Sequence, residues 1–349
     1  MRLVVLAVAL TLCGCAVMQP AQLGRSDTAN ANANAAAAQA AEMMARMRAA
    51  QEVAERKCQP ILQKEVSFEE ERAIGADLAV TFTAQLGHLY LDGATEKDPS
   101  KLITALEGRQ PVTLPAGGRN GVSTHVAVVG KNLARYSGRP SIPWTFGVIQ
   151  SETAQSFSTP GGFVFVTTAL LKKMDNEAQL AGVLGHEIGH VVQKDMLVKY
   201  VDAKHRQCVA SVTAASMLEH EAATSNNPAM ADMARYARQF TAEGDVDLDK
   251  ADPGFKALLM NMMLMLVQSG NDATNEFQTD KVALELVSFA GYDPVQYEQF
   301  LTTWTQGKHP ASKDRALKLE ALRTGELKDF AQGASKPELG KVFAPLSAP

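Results

Sequence analysis

Apolar residues recur at helical spacing from Val66 to Leu91, at Phe68, Ile74, Leu78, Phe82 and Leu86, and this pattern predicts an amphipathic helix. Gly, Pro and Asn clusters then mark an irregular stretch to Asn120, and a further short helix is expected over Val126 to Tyr136. Trp144 to Ile149 and Gly162 to Val166 are short, β-branched and aromatic, which predicts two strands that neighbour each other in a small sheet, joined through Ser151 to Gly161. After Glu177 helical periodicity dominates. Within it Leu258 to Val267 reads LLMNMMLMLV, too short to span a bilayer and best read as a buried helix, the other reading being an apolar wall beside a groove. The pattern predicts an α+β fold, mostly helical, with a small sheet, over about residues 66–325, and a helical insertion at about 200–265. Residues 326–349 are polar and read as a tail.

The first residues follow another logic. Arg2, the apolar run Leu3 to Leu12, and then Leu12-Cys13-Gly14-Cys15 form an export signal over residues 1–15, and its ending resembles the lipobox of bacterial lipoproteins with Cys15 as the lipidated residue. Ala16 resembles the position that sends such proteins to the outer membrane, so a lipid anchor on its periplasmic side is expected. Residues 16 to about 40, rich in Ala, Asn and Gln, read as a tether, and Glu42 to Cys58 as a helix ending near Pro60, which together make an N-terminal segment over 16–65. With Cys13 removed and Cys15 carrying lipid, Cys58 and Cys208 are left in an oxidising compartment and are expected to pair. The chain-entropy model gives such a bridge, which closes a loop of about 150 residues, about 4–5 kcal/mol.

Composition is that of a globular protein, 46% hydrophobic and 21% charged, with a net charge of −4 and no basic block that could track a phosphate backbone. Nucleic acid is excluded as a partner on that ground.

His186-Glu187-Ile188-Gly189-His190 carries the chemistry. Leu180, Val183, Leu184, Ile188, Val191 and Val192 fall at helical spacing around it, and four residues is a little over one helical turn, so both imidazoles share a face and can meet one ion. Glu187 points about a quarter turn aside, suited to handling water as the base. Asp175 is a candidate N-cap, with Glu177 in the first turn. Gly182, Gly185 and Gly189 each cost about 0.5–1 kcal/mol relative to Ala, which implies that another backbone packs closely here.

A catalytic zinc site normally takes three protein ligands, and no histidine follows at HExxHxxGxxH spacing. Glu276 is the preferred third ligand: Asp280 lies one turn on, Val282, Leu286 and Phe289 occupy apolar positions, and Gly291 ends the segment. Asp280 would then accept a hydrogen bond from a ligand histidine. Glu219 and Glu221 are the alternatives.

The run Asn176 to His190, Glu276-Phe277-Gln278-Thr279-Asp280 and Gly291-Tyr292-Asp293-Pro294 together resemble metallopeptidase family forty-eight, the zinc proteases of the HtpX, BepA and CAAX prenyl endopeptidase type. The resemblance covers about Val66 to Leu322 and implies a zincin-like domain, one zinc ion per chain on His186, His190 and Glu276, and an endopeptidase. Ser156 to Val166 is similar to the family's strand beside the cleft, which implies that Gly161, Gly162, Phe163 and Val164 offer main-chain hydrogen bonds to an extended substrate. His309-Pro310 with Arg315 is similar to a C-terminal family motif, which implies that His309 faces the metal, assisting or blocking it, and that Arg315 supports the ligands. Asp195, where the family often has histidine, and Thr279, where it often has alanine, depart from the pattern, and neither is expected to touch a ligand. The implied substrates are misfolded or unassembled periplasmic and outer-membrane proteins. The competing reading is a metal-binding chaperone whose zinc is blocked by His309.

Overall fold

The computed structural model describes residues 27–108, 121–224, 229–233, 273–303 and 312–328. Cys15, the Met-rich run at 258–267 and His309 lie outside the described residues. The elements that position the site begin with α1 (Asp27–Gln63) and α2 (Phe68–Leu86), followed by strands β1 (His88–Tyr90) and β2 (Thr95–Glu96). Helices α3 (Leu102–Glu107) and α4 (Val122–Ala134) precede strands β3 (Thr145–Gln150), β4 (Ser156–Thr159) and β5 (Phe163–Thr167). Then come α5 (Thr168–Leu171), α6 (Glu177–Val192), α7 (Asp195–Thr224), α8 (Ala273–Phe289), α9 (Pro294–Thr303) and α10 (Ser312–Thr324). This is the mostly helical α+β architecture with one small sheet that the pattern predicts.

The sheet runs β2-β1-β3-β5-β4, with β3 and β5 parallel and the other neighbours antiparallel. Alternation along the strands separates two cores. Trp144, Phe146, Val148, Val164 and Val166 face α4, α6 and α8, whereas Ile149, Phe157, Phe163 and Phe165 face α2 and α3. Each such side chain, fully buried, contributes about 1.5–3 kcal/mol, so the central strands are fixed from both faces.

Four expectations change. Within Ser156 to Val166 the edge is β4, and the residues expected to bind substrate are not on it: Phe163 and Val164 sit in β5, paired on both sides and buried, so their main chain is closed to a peptide. Gly161 and Gly162 form the β4–β5 turn, with φ of 74° and 92°, a region open to glycine. The expected tether is helical from Asp27, because its alanines are the best helix formers, and α1 runs on through Pro60 to Gln63. The boundary at 325 falls within the fold, since Leu327 is buried in the larger core.

The N-terminal helix lies along α7 with little apolar burial. Residues 32–49 are exposed, with Arg46 hydrogen-bonded to His220 of α7, and apolar contact is made further on, where Ala54, Cys58 and Val212 form a small cluster with Ile61 and Val209. Cys58 and Cys208 are joined there by a disulfide between α1 and α7. No helix among the described residues is long and apolar enough to cross a membrane.

Candidate metal centre

Helix α6 is started by Asn176, not Asp175: its side chain accepts from Gln179 N at 3.0 Å, while Gln179 Oε1 accepts from Asp175 N at 2.8 Å. The helix is then clasped by α8 and α9 through its glycines. A Cβ at Gly182 would fall 2.3 Å from the Tyr297 ring, one at Gly185 3.2 Å from Ala283 Cα, and one at Gly189 2.9 Å from Thr279 Cγ2. The small residues therefore let α8, which carries Glu276 and Asp280, lie against the face that carries the histidines.

His186, His190 and Glu276 converge, their ligand atoms all within 4.8 Å of one another. His186 Nε2 and His190 Nε2 are 3.0 Å apart, and the Glu276 carboxylate lies 3.5 Å from the first and 3.7 Å from the second. A tetrahedral ion about 2.0–2.1 Å from each donor requires separations of about 3.3 Å, so the donor set fits zinc with little movement. Glu219 and Glu221 are exposed on α7 and take no part in this grouping.

Each histidine is oriented by a carboxylate on its other nitrogen. His186 Nδ1 donates to Asp280 Oδ1 at 2.9 Å and His190 Nδ1 to Asp195 Oδ2 at 2.7 Å, which leaves both Nε2 lone pairs aimed at the centre. Asp280 is fully buried and receives Arg315 Nε and Nη2, each at 2.6 Å, and the Tyr297 hydroxyl at 2.9 Å. Burial pushes its pKa up, but the bonds from Arg315 and His186 outweigh burial and hold it at about 2. Burial and the charge of Asp280 push the Tyr297 hydroxyl well above its usual value, so it remains a donor. Burial, with the neighbouring His190, lowers the pKa of His186. Burial also acts to lower that of His190, but the bond to Asp195 and the charges of Glu187 and Glu276 outweigh it and the pKa is raised.

The contact with Asp195 corrects the sequence reading. On one continuous helix a residue five positions past His190 would point about 140° away. Lys194, with φ of 59°, ends α6 and lets α7 start in a new direction, which swings Asp195 back to His190. Thr279 is also in reach, its Oγ1 3.4 Å from His190 Nδ1, and Asn275 Nδ2 donates to Asp195 Oδ1 at 3.1 Å. No spacing rule reports a break of this kind.

Glu187 is buried beside the donor set, and both its oxygens accept from the edge strand: Ser156 Oγ donates to Oε1 at 2.7 Å and Ser158 Oγ to Oε2 at 3.0 Å. Sequence reasoning missed these contacts; the available signal was the alternation Ser156-Phe157-Ser158, which puts both serines on one face of a strand. Among the described residues the carboxylates of Glu187, Glu276, Asp280 and Asp195 gather here, with the guanidinium of Arg315 paired to Glu276 and Asp280, so the centre favours a cation.

Comparison with known proteins agrees with this chemistry. A mitochondrial metalloendopeptidase OMA1 of Schizosaccharomyces pombe is 33% identical over 93 residues, covering 27% of this chain and 28% of that protein. A beta-barrel assembly-enhancing protease of Yersinia pestis is 23% identical over 219 residues, 62% of this chain and 39% of the relative. A protease HtpX homolog of Thermococcus kodakarensis is 26% identical over 160 residues, 43% and 47% of the two chains. The matched parts thus span less than half of each of these relatives. The family model for Peptidase family M48 matches residues 122–323, more than half of the chain, from the start of α4 to the last turn of α10. The chain therefore belongs to Peptidase family M48, a family of metalloendopeptidases.

Proposed function

We propose that this protein is a zinc endopeptidase that cleaves unfolded polypeptide held in extended form, with Glu187 as the base. The observation that carries the reading is the convergence of His186, His190 and Glu276 within 4.8 Å, with the Glu187 carboxylate buried beside them. Zinc bound to these three side chains supplies a Lewis acid and lowers the pKa of water towards about 7. Glu187 takes the proton of the attacking water and delivers it to the leaving amine. Asp280 and Asp195 keep both imidazoles in the tautomer that presents Nε2, and Arg315 keeps Asp280 ionised. The edge position of β4, next to Glu187, supports binding of a peptide as an added strand, which recognises main chain and so accepts many sequences.

The natural substrates in this reading are misfolded or unassembled proteins of the periplasm and outer membrane, reached from a lipid anchor at Cys15. The signal and lipobox pattern of residues 1–15 supports the anchor, and the Yersinia pestis relative, named for enhancing beta-barrel assembly, supports substrates of this class. Casein cleavage tests the chemistry: removal of metal by a chelator should abolish it and stoichiometric zinc restore it, whereas cleavage that persists after metal removal would overturn the reading. Labelled palmitate incorporated by the parent chain and lost in Cys15→Ser tests the anchor; equal labelling of both would refute it.

A further inference from the structure

The two serines that hold Glu187 also occupy a particular register in the sheet. In β4 the two-residue period puts Ser156 and Ser158 on the face towards α6, while Phe157 between them turns to the other core and stacks on Phe165, 4.8 Å between centroids. Both serines are buried, and an unpaired buried hydroxyl is costly. Here each is paired with a different oxygen of one carboxylate. A carboxylate has about four acceptor sites, so two hydroxyls fix its plane and leave it able to receive a proton from water.

The main chain of the same residues faces the other way. Residues of an antiparallel pair alternate between bonding to the partner strand and pointing away from it. Thr167 N donates to Gln155 O at 3.0 Å, which makes Gln155 and Thr167 a bonded pair. In the register Ser156 to Val166 and Phe157 to Phe165, the next bonded pairs involve Phe157 and Thr159. Ser156 and Ser158 therefore turn their N–H and C=O groups away from β5, and β4 has no further strand beside it among the described residues.

We propose that Ser156 and Ser158 are positioning residues that join substrate seating to base alignment: their main chain receives the extended peptide while their hydroxyls aim the carboxylate of Glu187. This rests on Glu187 being the base. A shift of the loaded strand would move the base with it, so that a peptide pairing in register finds Glu187 aligned. The side chains act on turnover and the backbone on binding, which makes the two roles separable.

The test is steady-state hydrolysis of fluorescently quenched casein by the full chain loaded with stoichiometric zinc. The parent is compared with S156A/S158A, S156T/S158T and E187Q, with bound zinc and thermal unfolding measured for each. The alanine pair should lose about ten- to a hundredfold in kcat, the scale of a misplaced catalytic group, with KM and zinc content unchanged. The threonine pair, which keeps both hydroxyls, should recover most of the loss. Unchanged kcat in the alanine pair beside an inactive E187Q would overturn this inference alone, as would a loss in the threonine pair equal to that in the alanine pair. A loss that tracks zinc content or unfolding would make the serines structural and overturn it too. An active E187Q would instead overturn the reading beneath it.

Discussion

The helix α6 and the helix α1 are held by different means. Around α6 the helix is enclosed by strands on one side and by α8 and α9 on the other, with glycines allowing contact at backbone distance. Along α1 most of the helix is exposed, including Met43, Met44 and Met47; Ala50 is buried, and Ala54, Cys58 and Ile61 join a small apolar cluster with α7. Where apolar burial is large, packing brings the elements together and hydrogen bonds to buried carboxylates then orient the donors a metal site needs. Where it is small, a disulfide supplies the attachment.

The largest effect that separates the regions should come from Glu276→Ala. The variant should retain its disulfide and its helical signal but not zinc, and activity should fall on the order of a thousandfold or more, several kcal/mol of transition-state stabilisation. Metal analysis of the purified variant, followed by casein cleavage, checks this. Replacing Cys58 and Cys208 by serine should act in the opposite sense. The chain-entropy model allows about 4–5 kcal/mol, read by denaturant unfolding, while zinc content and kcat of the folded protein stay at parent values. A loss of zinc in that pair would break the contrast.

How much of this was legible in the sequence depended on the length and repetition of each signal. The α6 pattern repeats over several turns and its glycines announce a close neighbour, so the metal helix and a tight backbone contact are legible in the sequence, while the neighbours themselves, Thr279, Ala283 and Tyr297, are seen only in the structure. β3 and β5 were visible as continuous apolar runs. β1, β2 and β4 span four residues or fewer, too short for a period to show, and this hid the true edge of the sheet. The first part of α1, from Asp27 to about residue 41, was hidden for another reason: its Ala/Asn composition lacks apolar residues to bury, yet alanine favours the helix without burial. Asp195 and the two serines act through tertiary turns that no local pattern encodes.

Smaller changes sharpen the comparison within the site region. Gly182→Ala brings a methyl against the Tyr297 ring and should cost about 1–3 kcal/mol, measured by thermal or denaturant unfolding, whereas Gly291→Ala meets no neighbour and is strained only by its φ of 83°. The acid limb of stability should also belong to this region. The pKa of Asp280 is depressed from 3.8 to about 2, so the stability it contributes is complete above about pH 4 and is lost as the pH falls towards about 2. Asp280→Asn should flatten that part of the unfolding profile; an unchanged acid limb would assign it to other carboxylates.

Whether Glu187 is the base of a zinc peptidase is decided by casein hydrolysis at matched zinc occupancy for the parent chain and Glu187→Gln. The parent should show zinc-dependent cleavage and the variant none, with zinc affinity and peptide binding retained in both. Cleavage by Glu187→Gln at the parent rate would contradict that role.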